Sequence, residues 1–408
     1  MVKKIAGLAA AFVLIAMTVN THAAGFRLPD TSVTALGMAN AFSAQSDNAS
    51  ANSYNPAAMV WLDGTQTMLG ANFIYPSMKH ENTDGKTDRS ASVWHIQPHA
   101  FATHNFGKFS LGMGASAPFG LSSQWAQTSE TSKAATYSSM KVANYNLNAA
   151  YKLSDKLAVA AGFDFATIDA SLYNMASTSP SMIEQRLDGT GNGVGFNAGV
   201  MYRPTDDLSL GLSYRSKIIL SITGNVVLHN VTTQTTMRDV PADTRLTLPD
   251  ILLLGASWKA SDRLRVNFDL DYTGWSSYDQ LIIHNSLSAG GASVKYKEWN
   301  NVVAARLGAE YKLDQTWTMR GGLVYDPNPI PDEHFDPIVP DSDRIGVAAG
   351  TTFRRGNWSV DAGYMFLHFL SRNVNNSMGG SNTTVDSTLN GTWKAVAHLI
   401  GVSTSYAF

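Results

Sequence analysis

Leu208-Ser-Leu-Gly-Leu-Ser-Tyr214 decides the fold class. Leu208, Leu210, Leu212 and Tyr214 alternate with Ser209, Gly211 and Ser213, and an extended strand sends the two sets to opposite faces. Asn267-Phe-Asp-Leu-Asp-Tyr272 repeats the pattern, with Phe268, Leu270 and Tyr272 against Asn267, Asp269 and Asp271. Asn144-Tyr-Asn-Leu-Asn148 does so again. A soluble sandwich also alternates, so the connections must separate it from a membrane barrel.

Those connections fall into two kinds. Short polar turns lie near His104-Asn105, Ser154-Asp155, Pro204-Asp207, Ala260-Asp262, Asp314-Gln315 and Arg355-Asn357. Long polar stretches lie near 80–90, 121–139, 172–191, 221–243, 277–295, 327–342 and 372–390. Six turns and seven loops join fourteen strands. They are expected at 66–79, 91–104, 108–120, 140–153, 156–170, 192–204, 207–221, 244–259, 263–276, 296–312, 315–326, 343–354, 357–371 and 392–408. An even count with short turns on one side and long loops on the other fits an all-β, 14-stranded antiparallel transmembrane barrel. Lipid cannot satisfy an open sheet edge, so such a barrel must close. Tyr151, Tyr202, Trp258, Trp275, Tyr311 and Trp393 recur near strand ends, where a membrane interface favours aromatic rings.

Composition agrees. Only 15% of the 408 residues are charged, against roughly 25% in ordinary globular proteins. No cysteine is present, which excludes a disulfide framework. Lys3, Lys4, an apolar run and Thr21-His22-Ala23 read as a signal peptide over 1–23, with Ala24 as the mature N-terminus. Without its two lysines, 28 basic groups face 32 acidic ones, which gives no reason to expect a nucleic-acid partner. No other stretch holds 18 continuous apolar residues, which argues against a helical membrane protein. The chain ends Val402-Ser-Thr-Ser-Tyr-Ala-Phe408, alternating and aromatic at its last position, like the terminal strand signal of outer-membrane barrels. That signal implies assembly into the bacterial outer membrane by the barrel assembly machinery.

Several motifs, in order, resemble the FadL family of outer-membrane channels for hydrophobic compounds. They are Ala24-Gly25-Phe26, Asn55-Pro56-Ala57-Ala58, Lys297 to Gly308, Tyr325 to Glu333 with Pro340 to Arg344, and Tyr406-Ala-Phe408. The resemblance implies a monomeric barrel from 63 to 408 with an N-terminal plug over 24–62. It also implies passive import of long-chain fatty acids, or of neutral or aromatic hydrocarbons. The implied route runs from an external apolar groove to an interior site and a sideways exit at the third strand. Outer-membrane lipids and lipopolysaccharide would surround it.

Mapped onto this chain, Phe26, Asn55 and Pro56 belong to the plug. Its segment Asp47 to Met59 is rich in Asn and Ser, which can bond to polar residues of a barrel wall. In the third strand, Pro118 removes a ladder donor and Gly120 permits unusual angles; the resemblance implies the sideways opening at Pro118, Phe119 and Gly120, with a bulge at a strand end as the other reading. The implied groove uses Phe119, Leu121 and Trp125, faced by Leu172, Tyr173 and Met175. A carboxylate ligand needs a cation at the pocket end. Lys295, Lys297 and Arg306 are candidates, Arg215 a weaker one. Phe163 to Tyr173 lacks a basic residue where the family's fatty-acid importers can carry one, which raises the hydrocarbon alternative. No catalytic site, metal site or cofactor motif is expected. His95-x-x-x-His99 lies on a strand, not the helix of a zinc peptidase. Asp332-Glu-His334 reads as a solvated loop, with a bound cation as the other reading. A general porin and a surface-adhesion barrel are the rival classes; the latter suits the Asn/Thr-rich stretch near 373–385.

Overall fold

A computed structural model describes residues 25–178, 181–375 and 387–408. The expected signal peptide, Ala24 and most of the Asn/Thr-rich stretch lie outside the described residues.

Fourteen antiparallel strands close into one barrel. They are β1 Thr65–Asn82, β2 His95–Asn105, β3 Phe109–Gln124, β4 Tyr137–Ser154, β5 Leu157–Ser177 and β6 Ile183–Thr205. The next four each run in two segments. These are β7 (Leu208–Arg215, Ile218–Asn230), β8 (Thr235–Leu248, Ile251–Lys259), β9 (Leu264–Thr273, Gln280–Asn285) and β10 (Ala292–Tyr296, Val302–Lys312). β11 Trp317–Asp326, β12 Arg344–Arg355, β13 Trp358–Val374 and β14 Gly391–Ala407 complete the wall. β1 pairs with β14 from Gln66↔Ala407 to Asn82↔Gly391, leaving no free edge.

The alternation sorts residues as expected. Leu69, Leu147, Phe163, Phe196, Leu254 and Val402 are exposed on the outside, each about half accessible or more. Asn267, Asp269 and Asp271 of β9 are buried on the inside. Such a wall is stable only with lipid against its outer face.

Two expectations need correction. The stretches 172–191 and 221–243 are largely strand, because β5 to β8 extend as long hairpins beyond the apolar band. Water wets their outer face, so polar residues there hide the strand pattern. Trp275 and Trp393 are also not interface rings, being 0% and 4% exposed. Trp275 sits in the break of β9, turned into the lumen. Trp393 packs against His80 and Trp125. Tyr151, Tyr202, Trp258 and Tyr311 do face outward.

Residues 25–62 occupy the interior. Short helical turns form at Val33–Leu36, Ala51–Tyr54 and Pro56–Trp61. Ser32 caps the first, accepting from the Ala35 N–H at 3.3 Å. Asn55 caps the last, accepting from the Ala57 N–H at 3.2 Å, while its Nδ2 donates to the Val200 carbonyl of β6 at 3.0 Å. Inward polar residues of the wall bind this segment. Asp269 accepts from the Phe42 and Ser43 N–H groups at 2.9 and 2.8 Å. Asn146 donates to the Asn52 carbonyl at 3.0 Å. Backbone also meets backbone here: a Cβ on Gly322 would lie 2.2 Å from the Met38 carbonyl carbon. Small wall residues are therefore a packing requirement.

Candidate functional site

The first residues of the described chain end in an aromatic box. Phe26 lies 4.6 Å from Trp275, 5.5 Å from Trp299, 5.7 Å from Tyr278 and 6.1 Å from Phe119, centroid to centroid. Trp275, Tyr278 and Trp299 reach it because β9 and β10 break at 274–279 and 297–301 and fold inward. Gly25 adopts φ +60°, and a Cβ there would lie 2.5 Å from Trp299. Its N–H donates to Asp341 Oδ2 at 2.7 Å. Asp341 belongs to the segment between β11 and β12, so that segment holds the N-terminal end in place.

Beside the box lies an apolar pocket lined by Phe26, Leu121, Met140, Ile168, Leu172 and Tyr278, among others. Its volume is about 70 Å³. Ligand pockets usually hold roughly 300–1,000 Å³, so a long chain enters only if a lining group moves. Lys297 also lines this pocket. Its Nζ pairs with Asp336 Oδ2 at 2.8 Å. The Asp336 carboxylate thus supplies the counter-charge for the buried Lys297 ammonium.

The second feature is a gap in the wall. β2 and β3 pair only from Ala100↔Ala115 to Asn105↔Ser110. Beyond that, β3 turns away at a bulge, where Ser116↔Asn144 is followed by Phe119↔Val142 on β4. One extra residue on β3 reverses its faces, turning Phe119 and Leu121 inward. The N-terminal segment takes up the freed edge. Leu28 N–H donates to the Pro118 carbonyl at 2.8 Å, and Gly120 N–H to the Phe26 carbonyl at 2.9 Å. Gln97 on β2 donates to the Ala117 carbonyl at 2.9 Å. A cavity of roughly 1340 Å³ extends through this gap. Ile96 and Pro98 lie at its outer side, and Asp30, Arg306, Asp326 and Arg344 at its inner side.

The inner side is a ladder of charges. Arg306 pairs with Asp271 at 3.2 Å and Asp326 at 3.8 Å, and Arg344 with Asp326 at 2.7 Å. Arg27 pairs with Asp271 as well.

The expected site residues thus divide. Phe26, Leu121, Leu172 and Lys297 meet at the apolar pocket; Phe119 packs against Phe26. Pro118 and Gly120 lie at the gap. Trp125 and Met175 are buried, 3% and 2% exposed, outside the linings of the apolar pocket and of the gap cavity; Trp125 donates to the Pro337 carbonyl at 3.2 Å. Tyr173 lies on the outer surface, its hydroxyl donating to Asp188 at 2.8 Å. Arg306 and Arg215 are committed to carboxylates of the wall, Arg215 to Asp164. Lys295 stands across the sheet from Leu281, outside the pocket lining. Asp332 is taken by Arg372, and His334 faces Glu298 at 3.4 Å. Sequence reasoning missed Tyr278, Trp299, Asp336 and Arg27. Aromatic residues breaking the alternation of β9 and β10 were the available signal.

These features coincide with a known family. The family model for outer membrane protein transport proteins (OMPP1/FadL/TodX) matches residues 14–408. The chain belongs to this family. Outer membrane protein P1 of Haemophilus influenzae is 28% identical, over 95% of this chain and 96% of that protein. A long-chain fatty acid transport protein of Escherichia coli is 25% identical, over 86% and 89%. Among solved structures, a Pseudomonas aeruginosa FadL homologue superposes with a TM-score of 0.82 at 21% identity, covering 94% of this chain and 99% of that one. The Ralstonia pickettii toluene transporter TbuX gives 0.71 at 18%, covering 95% and 100%. Like its family, the chain is an outer-membrane transporter of hydrophobic compounds and not an enzyme.

Proposed function

We propose that this chain passively carries long-chain fatty acids or related hydrophobic compounds, acting as a monomer among outer-membrane lipids and lipopolysaccharide after insertion by the barrel assembly machinery. The observation that carries the reading is an apolar pocket lined by one lysine, beside a wall gap whose β3 edge is bonded by the N-terminal segment. A lipid tail gains about 0.8 kcal/mol per buried CH₂, so apolar surface near Leu121 and Leu172 collects it where a water-filled pore would not. Its carboxylate competes with Asp336 for Lys297. Seating the chain requires displacement of Phe26, which frees the Phe26 and Leu28 bonds to β3 and opens a sideways route between β2 and β3. Residues 25–62 act as the plug.

A neutral-hydrocarbon channel is the second reading. It is favoured by the absence of a basic residue in Phe163 to Tyr173 and by the commitment of Arg215 and Arg306 to acidic partners. Uptake of radiolabelled oleate and of toluene, in cells lacking their own importer, separates the two. Oleate uptake that falls in Lys297→Met supports the first reading. Toluene uptake alone supports the second. Neither, from a well-folded barrel, removes both and leaves a surface-binding role.

A further inference from the structure

The outer mouth of the β2–β3 gap has two unlike sides. On the β2 side, the residues that line it outward are Trp94, just before the strand, and Ile96 and Pro98, all apolar. Trp94 and Ile96 are 53% and 65% exposed. On the other side the outward face of β4 to β7 is polar. Lys141 stands opposite Asp169, Asp169 opposite Thr190, and Thr190 opposite Thr223. Two rows below, Tyr145, Phe165 and Val194 begin the lipid-facing band. The polar row therefore sits at the upper edge of the apolar surface, next to the gap.

His95 lies on the inward face of β2 with Gln97 and His99, and Lys141 on the outward face of β4, so the two meet the gap from opposite faces of the wall. Both line the cavity at this gap. Among the described residues neither side chain makes a hydrogen bond or an ion pair. Asp169, directly across the sheet from Lys141, does not close on it. Elsewhere in the lumen the buried arginines Arg27, Arg215, Arg306, Arg320 and Arg344 are each matched by a carboxylate. The mouth is where a cation and a ring nitrogen are left open beside an apolar surface.

We infer that Lys141 and His95, from the outward and inward faces of the wall, form an anion seat within the β2–β3 gap, which takes the headgroup of a single-chain anionic amphiphile while its tail runs outward along Trp94 and Ile96. The ammonium pairs with a carboxylate or phosphate oxygen, and the imidazole adds a ring N–H. A neutral hydrocarbon gains nothing from this seat. The passage is thereby biased toward amphiphiles and orients them, tail toward lipid and head toward the polar row. The inference rests on the proposed sideways route; the anion itself is either the travelling carboxylate or the phosphate of a resident membrane lipid.

The test compares oleate with oleyl alcohol, the same chain without the charge, in the Lys141→Gln/His95→Gln double variant. Assembly is checked by the heat-modifiable mobility of the barrel. A charged hydrogen bond lost at the seat should lower oleate uptake by about tenfold at subsaturating concentration, with oleyl alcohol unchanged. In parallel, native mass spectrometry of the purified protein counts bound phospholipid. Oleate uptake that holds while bound phospholipid falls assigns the seat to lipid phosphate. An equal loss of oleate and oleyl alcohol, or no change in either uptake or bound lipid, overturns the inference. If the unaltered chain carries no oleate at all, the transport reading fails while the lipid measurement still decides the seat.

Discussion

At the residue scale, two side chains tie the N-terminal segment to the wall in different ways. Asn55 uses both ends of its amide, one for the Ala57 N–H and one for the Val200 carbonyl. Asn55→Ala leaves that carbonyl and N–H unsatisfied, at a cost of about 1–3 kcal/mol. The expected outcome is a lower thermal midpoint in detergent, with the barrel still assembled. Asp341, which accepts from the Gly25 N–H, is expected to make this contact depend on pH. Burial pushes its carboxyl up to about 6 from an ordinary 3.8, with Arg344 and the Gly25 N–H opposing. The folded value lies above the unfolded one. Its contribution to stability is therefore complete below pH ~4 and is lost as pH rises through 6. Trp275 and Trp299 adjoin Gly25, so indole fluorescence should change with a midpoint near pH 6, and Asp341→Asn should abolish that change. A transition that survives the substitution assigns it to another group.

At the element scale, β3 carries one residue too many. Three steps on β3 from Ser116 to Phe119 match two on β4 from Asn144 to Val142. Deleting Pro118 restores the register, keeps Phe119 and Leu121 inward and lets β3 follow β2 upward. Such a barrel should assemble normally, and oleate uptake should fall to background. Uptake at the unaltered rate would show that substrate leaves elsewhere. Pro118 and Gly120 made the irregularity legible in the sequence. That the N-terminal segment supplies hydrogen-bond partners for the freed edge was not legible, because those bonds join residues about 90 positions apart.

At the scale of the whole molecule, the barrel is a polar-lined tube filled by its own N-terminus. Asp269, Asp271, Glu310, Arg306 and Arg320 face inward and bond to residues 25–62 or to one another. A chain lacking residues 25–62 should keep the barrel, since the ladder closes without that segment. It should then conduct ions in planar bilayers, with stepwise openings that the intact protein lacks. A silent truncated barrel would mean that the extracellular segments seal the lumen unaided.

The amino-acid sequence alone determined the strands, their number and the side on which the long connections lie. Alternation is a property of neighbouring residues, and a strand separates its faces whatever surrounds it. It fell short where the outer face of a strand is wet beyond the apolar band, as in 183–191 and 221–230. It also misplaced Trp275 and Trp393. Tertiary structure decided which lysine or arginine stands beside the pocket. Lys297 and Arg306 lie on the same strand run, yet one borders apolar space and the other is claimed by Asp271 and Asp326. The difference comes from the breaks in β9 and β10 and from the packing of residues 25–62. Those depend on contacts between distant segments, which no local pattern encodes.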